Sequence, residues 1–350
     1  MKDVLAVPAS RRAKLEEIVA TLGAANRIVL TTHVNADGDG TGCEIAVAVW
    51  LTGIGKVVHI ANPTAWPDLY RHLVPDAEWL RDPTHPQTTA TIAAADVALV
   101  VDTAEPKRIG RIAASIAGKP VIVIDHHVPT DNGIPATITL EDAAACAAGE
   151  LIFDLLTVAE LAKPWPHAIL EAIYTAIVTD TGSFRFSNST NRAHAIAGDL
   201  IEQGIDPEEV YRRLFATVPL RRIELLREAL AHLQTDPELP ITWISIGRKM
   251  MDDLNATSDD VEGLIEHARS VEGTEVAILF RETADGSTKI SLRSAANVDV
   301  NAIARGFGGG GHVKAAGALM GQRPAEAVPL VLDAVRTALR DLRPDFRAAR

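Results

Sequence analysis

Residues 27–40 read RIVLTTHVNADGDG, a short apolar run that gives way to His33, Asp37 and Asp39 as soon as it ends. Its first six residues predict a strand buried on both faces, and 41–51 continues with helical periodicity. The same order recurs. Residues 57–62 (VVHIAN), 96–102 (DVALVVD) and 120–125 (PVIVID) predict further strands, and 107–117 predicts a helix stopped by Gly118 and followed by Pro120. Strand, helix and strand in repetition imply right-handed crossovers, hence a mostly parallel sheet flanked by helices. Two more helices, about 143–156 and 167–179, follow.

Residues 190–234 read as helix interrupted at Gly204–Pro207 and at Pro219, without a strand signal. After Pro237 and Pro240 the pattern restarts, with strands expected at 241–247, 274–282 and 288–295 and a hairpin turn at 284–287. Helices are expected at 258–270, near 298–305 and at 324–342. The expected organisation is an α/β catalytic domain at 1–206, a helical connector at 207–235, and a smaller α+β domain at 236–345. The active site is expected in the cleft between the two domains.

Composition narrows the function. The 350 residues are 47% hydrophobic and 23% charged, the balance of a folded, water-soluble chain of about two domains. Aromatics make up 4%, which argues against gripping long single strands by base stacking. A net charge of −12 repels duplex DNA, so a nucleic-acid substrate should be short and held locally. Cys43 and Cys146 make neither a disulfide framework nor a metal-binding pair. No apolar run reaches the roughly 18 residues of a membrane span, and the N-terminus lacks the apolar stretch of a signal peptide. A cytoplasmic enzyme without a membrane partner is expected; a homodimer is left open.

The chemistry lies just beyond the strands. The first ends in His33, Asp37 and Asp39, the third in Asp102, the fourth in Asp125-His126-His127; Asp180 closes an apolar helix. In open α/β sheets ligands bind outside the carboxyl ends of the strands, so these returns converge on one place. So many carboxylates would repel one another unless cations neutralised them. A donor set of Asp and His without thiolate suits Mn²⁺ or Mg²⁺ better than structural zinc. Two such ions, roughly 3.5–4 Å apart, promote in-line phosphoryl displacement, which points to metal-assisted phosphoester hydrolysis. Asn35-x-Asp37-x-Asp39-Gly40 also resembles the opening of a calcium loop. Ala46 stands at its twelfth position where glutamate belongs, and a strand rather than a helix precedes it. Asp102 alone would read as a helix cap, and His126 alone as a core histidine; the combination reverses both readings.

A second cluster is Gly308-Gly309-Gly310-Gly311-His312-Val313-Lys314. Gly306, Gly308 and Gly311 formally fit a dinucleotide fingerprint but follow a helical pattern, not a strand, and no Lys-Ser/Thr follows to make a phosphate loop. A run of glycines lets backbone N–H groups approach an anion closely, and nearby Arg281, Lys289, Arg293, Arg305 and Lys314 make this stretch locally basic. Anion or nucleotide binding is expected here.

The chain resembles the DHH phosphoesterase family, named for the triplet standing here as Asp125-His126-His127. His33-x-x-x-Asp37-x-Asp39, Asp102 and Thr179-Asp180-Thr181-Gly182 match its motifs in order, and Gly309-Gly310-Gly311-His312 with Ala315-Ala316-Gly317 matches the associated C-terminal domain. Length is similar to the branch of bifunctional oligoribonucleases and 3′-phosphoadenosine-5′-phosphate phosphatases. RecJ-type exonucleases carry more domains, and family-II pyrophosphatases lack the glycine-histidine signature. The resemblance implies that His33, Asp37 and Asp102 hold one metal and that Asp39, Asp102, His126 and Asp180 hold the other, Asp102 bridging. It implies two divalent cations, Mn²⁺ foremost and Mg²⁺ or Co²⁺ as substitutes. His127 would face the scissile phosphate with Asp125 orienting it, while Arg293, Gly310, Gly311 and His312 would hold the far end of the nucleotide. The expected activity is hydrolysis of very short RNA to nucleoside monophosphates, or of 3′-phosphoadenosine-5′-phosphate to AMP. A cyclic- or linear-dinucleotide phosphodiesterase is the alternative within the same chemistry. A catalytically silent nucleotide sensor is the alternative from another class, and the intact set of acidic and histidine positions opposes it.

Overall fold

The computed structural model describes residues 4–129 and 132–342, which divide into two compact units, Met1–Thr217 and Val218–Arg350. In the first, the elements run α1 (Ala9–Ala24), β1 (Arg27–Thr31), α2 (Gly38–Gly53), β2 (Val57–Ile60), α3 (Pro86–Ala94), β3 (Val97–Val101) and α4 (Ile112–Ile116). They continue through β4 (Val121–Asp125), β5 (Ile138–Glu141), α5 (Ala148–Val158), α6 (His167–Asp180), α7 (Asn191–Glu202) and α8 (Pro207–Leu214). Five strands form a wholly parallel sheet in the order β2-β1-β3-β4-β5. The chain leaves β1 for β2 on one side and returns to β3 on the other. A crevice therefore opens at the carboxyl ends of β1 and β3, where crossovers diverge.

Both faces of the sheet are covered. Ile28, Leu30, Leu99, Val101, Ile122 and Ile124 pack under α1, α2, α5, α6 and α7. The alternate residues Val29, Ala98, Val100, Val121 and Val123 pack with Ile92 of α3 and with Ile112 and Ile116 of α4. Helix α2 is buried almost all round because α6 lies directly against it. A methyl on Gly42 would stand 2.4 Å from the Ala172 carbonyl oxygen, so the approach requires glycine there.

In the second unit come α9 (Leu220–Ala231), β6 (Leu233–Thr235), β7 (Ile241–Ile246), α10 (Arg248–Asp253), α11 (Leu264–Arg269), β8 (Val276–Glu282) and β9 (Thr288–Ser294). They are followed by α12 (Val300–Gly306), β10 (Gly310–His312), β11 (Ala315–Met320) and α13 (Pro324–Leu342). The sheet order is β10-β11-β9-β8-β7-β6, antiparallel except between β7 and β8. Ile278, Phe280, Ile290 and Leu292 face α12 and α13, whereas Ala277 and Leu279 face α9 and α11.

The structure departs from the sequence expectations in several places. The expected connector at 207–235 is divided, α8 belonging to the first unit and α9 to the second. It also ends in β6, a three-residue strand too short to carry a pattern. The helix expected at 107–117 shrinks to α4, and that at 258–270 is broken by Gly263 in the left-handed region. Helix α1 and the edge strand β5 were not anticipated. β5 is four residues long and alternates buried with exposed positions, unlike the buried runs that mark its neighbours. No helix among the described residues is long and apolar enough to cross a membrane.

Candidate metal centre

Each expected ligand arrives by a separate local device. At the end of β1, His33 is buried, and its ring Nδ1 lies 2.9 Å from the Val34 carbonyl. A proton donated there leaves Nε2 for the crevice. Asp37 caps α2: its Oδ1 accepts the backbone N–H groups of Asp39 and Gly40, each at 3.1 Å. Its other oxygen stands 3.6 Å from His33 Nε2. Asp37 thus caps a helix and still keeps an oxygen for the site.

Asp102 follows β3 with φ of 59°, left-handed backbone that few side chains tolerate and aspartate tolerates better than most. The cost is local strain, and the effect is to aim one carboxylate between two histidines. Oδ2 lies 3.2 Å from His33 Nε2, and Oδ1 lies 3.5 Å from His126 Nε2. His126 Nε2 also faces Asp39 Oδ2 at 3.6 Å and Asp180 Oδ2 at 3.8 Å. Asp39 is fully buried, its two oxygens accepting the N–H groups of Ala148 at 2.7 Å and Gly149 at 2.8 Å, at the start of α5. Asp180 ends α6, which the glycine contact at Gly42 holds against α2.

Three ligand groups result: His33 with Asp37 and Asp102; Asp39 with His126 and Asp180; and Asp102 with His126 and His127. The first is the set the resemblance implies for one metal, and the second holds three of the four residues implied for the other, without Asp102. His127 turns its Nδ1 to Asp125 Oδ1 at 2.7 Å, and Asp125 also accepts the His127 backbone N–H. This leaves the far edge of the His127 ring, Nε2, free of the DHH aspartate.

Electrostatics agree with a site built for cations. Burial opposes charge on His33, yet hydrogen bonding to Asp102 and Asp37 outweighs it and raises its pKa to about 10. Burial likewise opposes His126, whose neighbours Asp102, Asp39 and Asp180 raise it to about 10. Burial, with Asp102 and Asp37 nearby, pushes Asp180 up to about 6. Burial first, then Asp102, raises Asp39 well above the usual carboxylate range. Asp102 is held below that range: burial works against its charge, and the two histidines overcome it. Two buried polar atoms here, Asp102 Oδ1 and His126 Nε2, have no hydrogen-bond partner among the described residues. Orphans of this kind at the meeting point of five aspartates and three histidines fit divalent cations held by nitrogen and oxygen.

Two supports were not legible in the sequence. Asn188 donates from Nδ2 to the Cys146 carbonyl at 2.8 Å and to Asp180 Oδ2 at 3.2 Å, steadying that carboxylate. Beneath the site, Asn62 accepts the Thr32 N–H and donates to buried Glu44, whose pKa burial raises to about 8. Neither belongs to a periodic or spaced pattern.

In the second unit, register aligns the remaining expected residues. His312 pairs with Ala315 across β10 and β11, and Ala315 pairs with Arg293 across β11 and β9. The His312 side chain lies outside the described residues. Arg293 is half-buried, with Nε 3.5 Å from Glu266. The glycines differ in purpose. Gly311 has φ of 148°, and a methyl there would stand 2.5 Å from the Ala315 carbonyl, so strand packing alone requires it. Among the described residues, Gly310 meets nothing nearer than Asn301 Oδ1 at 3.8 Å, a buried oxygen without a partner there.

Residues 27–177 match the DHH family N-terminal domain and residues 244–341 match the DHHA1 domain. The bifunctional oligoribonuclease and PAP phosphatase NrnA of Thermus thermophilus is 33% identical over 317 residues, 89% of this chain and 90% of its own. A crystal structure of an exopolyphosphatase-related protein from Bacteroides fragilis superposes with a TM-score of 0.87 at 26% identity, covering 96% of this chain and 98% of that one. RecJ from Thermus thermophilus in complex with Mn²⁺ shares the fold at 18% identity and a TM-score of 0.51, over 95% of this chain and 56% of that one. Two domains matched in sequence order, and a relative one-third identical along nearly the whole of both chains, make this protein a member of the DHH family of phosphoesterases.

Proposed function

We propose that the chain hydrolyses very short oligoribonucleotides to nucleoside monophosphates and 3′-phosphoadenosine-5′-phosphate to AMP, as the name of its Thermus thermophilus relative suggests. The observation that carries the reading is the shared carboxylate: Asp102 presents one oxygen to His33 and the other to His126. His33, Asp37 and Asp102 would hold one divalent cation, and Asp39, Asp102, His126 and Asp180 the other. When bound, the cations supply Lewis-acid stabilisation of phosphoryl oxygens and activation of water. Imidazole among the donors favours Mn²⁺ over Mg²⁺.

The chain's own groups do the rest. His127, fixed through Nδ1 by Asp125, offers Nε2 to the ester oxygen that leaves as the P–O bond breaks, and a proton passes from ring to oxygen. Asp125 keeps the ring in that orientation through its contact with Nδ1. Asn188 and the N-terminus of α5 keep Asp180 and Asp39 from turning away. In the second unit Gly310, Gly311, His312 and Arg293 bind the nucleotide end that does not react. We place the enzyme in the cytoplasm, where such substrates arise.

A product profile tests this reading. A dinucleotide, a five-nucleotide RNA, 3′-phosphoadenosine-5′-phosphate and a cyclic dinucleotide are incubated with Mn²⁺ or with chelator. Monophosphate product from the first three, lost in chelator, is expected. Turnover of the cyclic dinucleotide alone, or full turnover in chelator, overturns it.

A further inference from the structure

A scissile phosphate brings negative charge to a site already lined by aspartates. A protein cation held against a histidine of that site, yet not paired with its carboxylates, is therefore informative. Arg108 is such a group. Its Nη1 lies 3.5 Å from His127 Nε2, and among the described residues its guanidinium makes no ion pair. The arginines of the first unit that serve structure behave differently. Arg11 takes three carboxylates, and Arg192 and Arg213 are likewise paired.

Backbone bonds fix where Arg108 stands. Its N–H donates to the Glu105 carbonyl at 3.0 Å, and its carbonyl accepts the Val34 N–H at 2.7 Å. The residue is thereby tied to the loop that leaves His33, six positions beyond Asp102. This tie also explains why the helix expected from residue 107 begins only at Ile112. The side chain is half-buried, so it reaches the crevice without losing access to solvent-borne ligands.

We propose that Arg108 is a catalytic residue that grips the non-bridging oxygens of the scissile phosphate next to His127. A guanidinium only donates, in a planar fork that matches phosphate geometry. His127 has its Nδ1 engaged by Asp125, so its Nε2 is the ring edge beside the Arg108 guanidinium, 3.5 Å from Nη1. An anion there takes the fork's hydrogen bonds, while the imidazole addresses the leaving oxygen. The division is chemical: Arg108 stabilises charge that builds on the phosphoryl group, and His127 moves the proton.

The inference rests on the phosphoesterase reading above, and the experiment separates the two. Arg108→Ala, Arg108→Lys and Asp102→Asn are compared with the parent for kcat and KM on 3′-phosphoadenosine-5′-phosphate, for Mn²⁺ binding by calorimetry, and for AMP binding to the Mn²⁺-loaded protein. Arg108→Ala is expected to lose roughly 10²–10³ in kcat, the scale of one oxyanion donor, and to bind AMP more weakly. Its Mn²⁺ affinity is expected to stay at the parent value. Arg108→Lys should recover part of kcat, because it keeps the charge and loses the fork. A kcat of Arg108→Ala within threefold of the parent, or Mn²⁺ affinity falling in step with kcat, overturns the assignment. Should alanine disturb folding, Arg108→Gln, which keeps the stem and removes the charge, is judged by the same criteria. Full activity of Asp102→Asn would instead refute the phosphoesterase site itself.

Discussion

The first unit holds two clusters of buried charge, and they are built on opposite plans. In one, Arg11 donates to Asp142 at 2.7 Å, Glu150 at 2.7 Å and Asp154 at 2.8 Å, while Arg192 pairs with Glu150 and Asp154. The protein supplies its own cations, and every carboxylate of the cluster has a partner. In the other, among the described residues, Asp37, Asp39, Asp102, Asp125 and Asp180 meet three histidines and no paired arginine, and two buried atoms are left without a hydrogen bond. The first cluster ties α1 and α7 to α5; the second does chemistry. Helix α5 serves both, since Ala148 and Gly149 at its start hold Asp39 while Glu150 and Asp154 hold the arginines. A carboxylate cluster is structural when its counter-charges are covalently present, and functional when they must be recruited.

The contrast can be broken most severely at Asp102. Asp102→Asn should cut kcat by several kcal/mol of transition-state stabilisation, roughly a thousandfold or more. Saturating Mn²⁺ should raise the melting temperature of the parent, by about 2.7 kcal/mol of stability at a hundredfold excess over Kd, and leave this variant nearly unmoved. A thermal-shift series with and without chelator checks both points.

Arg11→Ala should do the reverse. Leaving Glu150 and Asp154 less compensated in the interior costs about 3–5 kcal/mol of stability, read as a lower denaturant midpoint. Below that midpoint, kcat should stay within a few-fold of the parent. A large loss of kcat with stability unchanged would show that the two clusters are not separable through α5.

The smallest effect is expected where the helices carrying the site touch. Gly42→Ala forces a methyl to 2.4 Å from the Ala172 carbonyl oxygen, so α2 and α6 must part by roughly an ångström to restore ordinary contact. About 1–3 kcal/mol of stability should be lost. Mn²⁺ affinity should fall with it, because Asp39 and Asp180 ride on the two separated helices. Unchanged affinity would locate the tolerance of the site in its loops rather than in the helix contact.

Much of this was legible in the chain before folding. Strands buried on both faces announce themselves as unbroken apolar runs, so β1, β3 and β4 stood out, and His33, Asp37, Asp39, Asp102 and the Asp125-His126-His127 triplet were visible as polar punctuation at their ends. Strand ends on one sheet edge converge for topological reasons, which is why local spacing sufficed to gather residues so far apart. What the sequence could not yield are contacts with no local signature. Arg11 meets Glu150 across 139 positions, Asn188 reaches Asp180 through a loop, and Arg108 sits where periodicity suggests helix. The left-handed backbone of Asp102 and the capping role of Asp37 likewise emerge only once the crevice exists. Composition and periodicity report which residues seek burial and in what local conformation. Which charge finds which partner is settled by packing, because a buried ion pair depends on distance and desolvation that exist only in the folded chain.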